Sequence, residues 1–258
     1  QRYSSKLSAE EISVYVNKIL AQLFTPKRTQ YIVNNPLRKL HIVAVRNRKL
    51  LNGRSKVAQG FGLLTASAGN LFSRSAVEAM YPRVVISPDK STTPFHINPE
   101  SIELNTNNLS QSLTASGAIP MIMEPTKVTG GKDRWHWDGG LVDYHFSGPF
   151  NANGGLVLYP HFFPKITPGW LDKAIPWRKA KAEDYDNVVM LAPSESFIAK
   201  LPYGKIPDRK DFSDLSNEDR EAYWNTVLTE TDKLVKDLHL ALKKDGGRSA
   251  VMPIEAIL

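Results

Sequence analysis

Residues 110–146 read "SQSLTASGAIPMIMEPTKVTGGKDRWHWDGGLVDYHF", and the fold turns on how they are parsed. The small side chains of Ala115, Ser116, Gly117 and Ala118 let a helix lie close against a neighbour, and Pro120 ends that helix. An apolar strand, a "TGGKD" turn and a second strand carrying "RWHWDGG" are expected to follow. Asp138 would then stand where a strand gives way to a Gly-Gly turn at a sheet edge, the place where ligands of α/β proteins gather. Asp138-Gly139-Gly140 is either a plain turn or a turn that holds a catalytic carboxylate. Trp135 and Trp137 beside it read as strand-core packing, with water exclusion from the carboxylate as the alternative.

Outward from this stretch the chain alternates between two periodicities. "LHIVAVR", "RVVISP", "LVLYP" and "NVVMLAP" are short, apolar and β-branched, as strands covered on both faces require. "SAEEISVYVNKILAQLF" opens with Ser8 and Glu11 at capping-box spacing and repeats Ile12, Tyr15, Val16, Ile19, Leu20 and Leu23 at helical spacing. "FGLLTASAGNLFSRSAVEAMYP" is long and Ala-rich enough for helix. Ser216 and Asp219 begin a terminal helix that carries Trp224, Val227, Leu228, Leu234, Val235, Leu238 and Leu242 along one face and stops at "DGG". Strands alternating with helices argue an α/β layered fold.

With 258 residues, 41% hydrophobic and 23% charged, the chain reads as one α/β domain over 1–258, with 201–215 as a tether and 216–245 as the terminal helix. It has no run of eighteen apolar residues and no secretion signal at its first residues, so it reads as soluble or peripheral to a membrane, with the cytoplasm favoured. The absence of cysteine excludes disulfides, thiolate metal sites and cysteine nucleophiles. A net charge of +7 favours an anionic partner. The basic run Arg38, Lys39, Arg46, Arg48, Lys49, Arg54 and Lys56 reads as a solvated face. No helix-turn-helix, finger or RNA-reading signature accompanies the charge, which argues against nucleic acid.

The segment from Ala115 to Asp143 resembles the patatin-like phospholipases. Its counterparts there are an Ala-Ser-x-Ala-Ile-Pro-like helix end, a short hairpin, and an Asp-Gly-Gly motif followed by hydrophobic-Val-Asp. Here these are Ala115 to Pro120, Asp138-Gly139-Gly140 and Leu141-Val142-Asp143. The resemblance implies a three-layer α/β/α domain with a mostly parallel central sheet, and a lipid acyl hydrolase that uses a Ser-Asp dyad without metal or cofactor. Asp138 would be the general base, with Gly139, Gly140 and Asp143 supporting the turn. A phospholipid or other acyl lipid ester would be the substrate. The family's Gly-x-Ser-x-Gly elbow and Gly-rich oxyanion loop are absent from these 258 residues, so the chain is expected to be the C-terminal portion of the domain, its N-terminal segment missing. An open cleft is expected beside Asp138.

Two other readings stand beside this one. A patatin-like protein without catalysis could bind lipid: "ITPGWLDKAIPWRKAKA" sets Trp170 and Trp177 beside Arg178, Lys179 and Lys181, a composition suited to an anionic membrane surface, while a loop that buries its tryptophans is the bland alternative. Alternatively His136, Asp138, Asp143, His145 and His161 could serve a metal-dependent hydrolase, although no paired His spacing supports it.

Overall fold

The computed structural model describes residues 8–48, 55–89 and 99–257. Lys49 and Arg54 of the basic run, and most of the loop after "RVVISP", lie outside the described residues. The chain is mixed α/β. Its contacts gather into two compact units, one spanning 7–154 and 167–184, the other 155–166 and 185–258.

The larger unit opens with α1 (Ala9–Leu23), where Ser8 Oγ accepts from Glu11 N and the Glu11 carboxylate accepts from Ser8 N, the reciprocal cap foreseen from their spacing. It continues through α2 (Pro26–Val33), β1 (Ile42–Arg46), α3 (Lys56–Phe72), α4 (Arg74–Met80), β2 (Arg83–Ser87), β3 (Glu100–Glu103), α5 (Leu109–Ser116) and β4 (His136–Asp138). The sheet order is β3-β2-β1-β4, which places "LHIVAVR" inside the sheet.

The expectation of a mostly parallel sheet is corrected. β1 runs antiparallel to both β2 and β4, and β2–β3 is the parallel pair. The cause is the connection after β1. The Ala-rich stretch forms two helices rather than one, broken at Ser73, whose hydroxyl caps α4 by accepting from Ser75 N. The helices approach so closely that a Cβ on Gly69 would lie 3.1 Å from Ala76 Cβ. This helical hairpin returns the chain to the end of β1, where Arg46 N donates to Pro82 O at 3.1 Å, so β2 must run the opposite way.

The sheet is buried on both faces. Ile42, Ala44, Val84, Ile86 and Ile102 meet Val33 of α2 and Leu109 and Ala115 of α5. Val45 and Trp137, on the other face, meet Ala66 of α3 and Val77 of α4. The predicted hairpin before β4 shrinks to one bridge, Thr126 with His136. Met121, at φ +71°, turns the chain immediately after Pro120, so "MIM" is spent on turns rather than a strand.

In the second unit β5 (Val157–Pro160) and β6 (Val188–Leu191) form a parallel pair, followed by α6 (Glu195–Ile198), α7 (Asp211–Asp214) and α8 (Asn217–Asp245). α8 starts at a Ser216 cap and ends at Gly246 in the left-handed region, as read. Its apolar face is used less than the sequence suggests. Tyr223, Trp224 and Val227 pack with Leu201, Ile206 and Leu215, whereas Leu228, Val235, Leu240 and Leu242 are exposed. Residues 201–215 thus contribute core side chains, and buried Asp211 gathers Lys205 Nζ, Trp224 Nε1 and Asp208 N.

Candidate functional site

β4 is the last strand of its sheet and ends at Asp138. One contact joins the parts of the motif that the sequence keeps twenty residues apart, and a second ties it to β1. Asp138 N donates to Ala118 O at 3.0 Å, and Ser116 Oγ donates to Val43 O on β1 at 2.7 Å. The small residues 115–118 permit both, since Ala115 and Ala118 are fully buried. Asp138 Oδ1 accepts from Gly140 N at 2.8 Å. Burial raises the Asp138 pKa above the ordinary carboxylate value, and the Gly140 N–H opposes this by favouring the charged form.

Each glycine of the turn has a steric reason. A Cβ on Gly139 would fall 2.6 Å from Val43 O and 2.9 Å from its carbonyl carbon, contacts that β1 cannot relieve without moving. A Cβ on Gly140 would lie 3.1 Å from the Asp138 carboxylate oxygen. Gly139→Ala is therefore expected to destabilise the fold by about 1–3 kcal/mol, the usual cost of overpacking. Chemical denaturation measures it, and an unchanged midpoint would show that β1 yields freely.

Asp143, 1% exposed at its side chain, forms a two-pronged ion pair with Arg83 at the start of β2: Nη2 donates to Oδ1 at 2.6 Å and Nε to Oδ2. Asp143 N also donates to Gly139 O at 2.9 Å, so the pair anchors the whole turn to the sheet. Sequence reasoning missed Arg83, because nothing local links residues sixty positions apart. Trp137 points into the opposite core from Asp138 and is 1% exposed, so it is a packing residue.

The His and Asp side chains weighed as metal ligands are placed apart. His136 and Asp138 share a face of β4, but the Asp143 carboxylate is engaged by Arg83, His145 Nδ1 accepts from Thr167 N at 2.7 Å, and His161 belongs to the other unit. Among the described residues no three such side chains converge to hold a metal. His136 is fully buried, with Nδ1 3.3 Å from Thr126 O, and burial lowers its pKa.

No family model, curated protein or solved structure matches this chain. The site must therefore be judged on its own geometry. Among the described residues no serine hydroxyl is hydrogen-bonded to Asp138. A hollow of about 960 Å³ lies between α2 and the segment after β3, lined by Phe24, Gln30, Asn34 and Asn105.

The tryptophan segment splits. Trp170, partly buried, packs against the core with Val142 and Leu171, whereas Trp177 is 72% exposed, with Lys179 and Lys181 exposed beyond it. Arg178 Nη2 donates to Asn70 O near the end of α3 at 2.6 Å, fixing where Trp177 stands.

Proposed function

We propose that this chain carries the general base of a serine-dependent lipid acyl hydrolase of patatin-like type, within a three-layer α/β/α domain. The observation that supports it best is the hydrogen bond from Asp138 N to Ala118 O, which joins the Ser-Gly-Ala-Ile-Pro turn to a partly buried carboxylate at a strand end. A carboxylate of ordinary basicity is a weak base toward a serine hydroxyl, and burial acts in the direction that improves it. In this reading Asp138 takes the proton as a serine from outside this stretch adds to the acyl carbonyl. The proton then passes to the departing alcohol, and water releases the acyl group from serine.

The test uses the protein encoded by the complete reading frame. A fluorophosphonate probe should label one serine, and phospholipid or soluble-ester hydrolysis should stop with labelling. Absence of both would return the chain to the second reading, a lipid-binding protein without catalysis, which is favoured by the lack of a serine bonded to Asp138 among the described residues.

Trp177, Arg178, Lys179 and Lys181 belong to this reading as a contact with anionic membrane. Lys179→Glu with Lys181→Glu should weaken binding to phosphatidylserine vesicles and leave hydrolysis of a small soluble ester unchanged. Equal vesicle binding by the variant would remove these lysines from the membrane contact.

A further inference from the structure

The parallel pair β2–β3 ends at a hollow. Leu104 N donates to Ser87 O at 2.8 Å, which extends that pair by one bond, and residues 104–108 then lead into α5. Facing them is the stretch from Phe24 through α2 to Lys39, and between the two lies the cavity of about 960 Å³. Its volume stands at the upper end of the range of about 300–1,000 Å³ that small-ligand pockets span, and its place, outside the carboxyl ends of parallel strands, is where ligands of α/β sheets bind.

The walls are fixed before any ligand arrives. Asn108 is fully buried: its Nδ2 donates to Glu103 O and to Thr129 O, both at 2.9 Å, and its Oδ1 accepts from Asn105 N at 2.8 Å. Asn105 Oδ1 in turn accepts from Asn107 N at 2.9 Å. On the other side Asn35 Oδ1 accepts from Leu37 N and Arg38 N, which holds the turn that delivers Lys39. The side chains so presented are mostly neutral and unspent. Gln30, Asn34, Thr106, Asn107 and Ser110 line the hollow, and none of their side chains is hydrogen-bonded to another described residue. Glu103 and Lys39 add one charge of each sign, and neither is in an ion pair among the described residues. Val33, Leu104 and Phe24, all members of the core cluster that joins α2 to the sheet, supply the apolar part of the lining.

We propose that this hollow binds a short neutral oligosaccharide. Amide side chains donate and accept at once, as each sugar hydroxyl does, so a lining of amides and hydroxyls pairs with a polyol and leaves few groups on either side unmatched. The opposed charges of Glu103 and Lys39 favour neither an anion nor a cation. A hydrocarbon chain is a poorer fit, since it would take the polar groups of the lining out of water with nothing to bond. The C–H face of a sugar ring matches Phe24, Val33 and Leu104. Asp138 is not among the walls, so the inference goes beyond the hydrolase reading and stands or falls without it.

The experiment offers the complete protein three neutral trisaccharides of different linkage: maltotriose, cellotriose and triacetylchitotriose. Saturation-transfer NMR should show at least one of them bound at millimolar concentration, and titration calorimetry then yields its Kd. Gln30→Ala with Asn107→Ala removes one amide from each wall and should raise that Kd by about tenfold or more. Neither side chain is hydrogen-bonded to another described residue, so the melting temperature should hold. Asp138→Asn should bind the same sugar with an unchanged Kd, whatever it does to hydrolysis. Absence of saturation transfer to all three sugars, or an unchanged Kd in the double alanine variant, overturns the inference. Binding of inorganic phosphate, lost in Lys39→Ala, with none of the three sugars bound assigns the hollow to anions and overturns it too.

Discussion

Asp138→Asn is expected to lower acyl-ester hydrolysis by the complete protein at least roughly a hundredfold, the span of a lost general base. The loss should fall on kcat, because a proton acceptor acts in the transition state rather than in substrate binding. Stability should not follow. Asn keeps an oxygen for the Gly140 N–H, and it removes a charge that burial disfavours. With a folded pKa above the unfolded one, Asp138 binds its proton more tightly in the native chain. Its ionisation therefore costs stability as pH rises from the unfolded value through the folded one, and Asn escapes that cost. The same upward shift should move the acidic limb of the pH–rate profile to higher pH than an exposed aspartate would give. Initial rates across pH together with a thermal melt check both halves. Near-normal turnover would sink the assignment, and joint loss of rate and melting temperature would recast Asp138 as a structural residue.

Asp143→Asn should show the reverse pattern, a fall in stability of about 3–5 kcal/mol, because it strands the Arg83 guanidinium away from water. Arg83 is 10% exposed, and its other acidic neighbour, Glu78, sits 3.7 Å away and largely in solvent. The low end of the range is therefore the better expectation. Replacing both partners, Arg83→Met with Asp143→Leu, should recover part of the loss, since no buried charge is then left alone. Denaturant titration of the two single variants and the double variant yields the coupling. A stable Asp143→Asn that has lost only its rate would move Asp143 from the scaffold into the chemistry.

Much of the local structure was legible in particular residues. The Ser8–Glu11 and Ser216–Asp219 spacings located two helix starts, and Gly246 located one end, because caps answer backbone needs within a few residues. The four β-branched runs all became strands; β1 and β2 are buried on both faces, as a continuous apolar sequence suits, whereas β5 and β6 stay partly exposed, with Leu158 in solvent, so cover on both faces was not theirs. The small residues 115–118 announced close packing, and the structure uses it against β1 and β4.

What depended on distant partners was not legible. Strand direction followed from whether "FGLLTASAGNLFSRSAVEAMYP" made one helix or a hairpin, which one serine cap and a Gly69–Ala76 contact decided. The likeness of Trp170 and Trp177 in sequence hid different fates, one partly buried against the core beside Val142 and Leu171 and the other in solvent.

Residue types and short spacings by themselves determined the helix caps, the strands and the mixed α/β class, because each reflects an interaction made within one turn or one strand. Only the tertiary structure decided the antiparallel setting of β1 in a mixed sheet, the demand for glycine at residue 139 against Val43 O, the pairing of Asp143 with Arg83 and the exposure of the outer face of α3. Each of these is an energy shared between segments far apart in the chain, and a one-dimensional pattern carries a signal for neither partner's position.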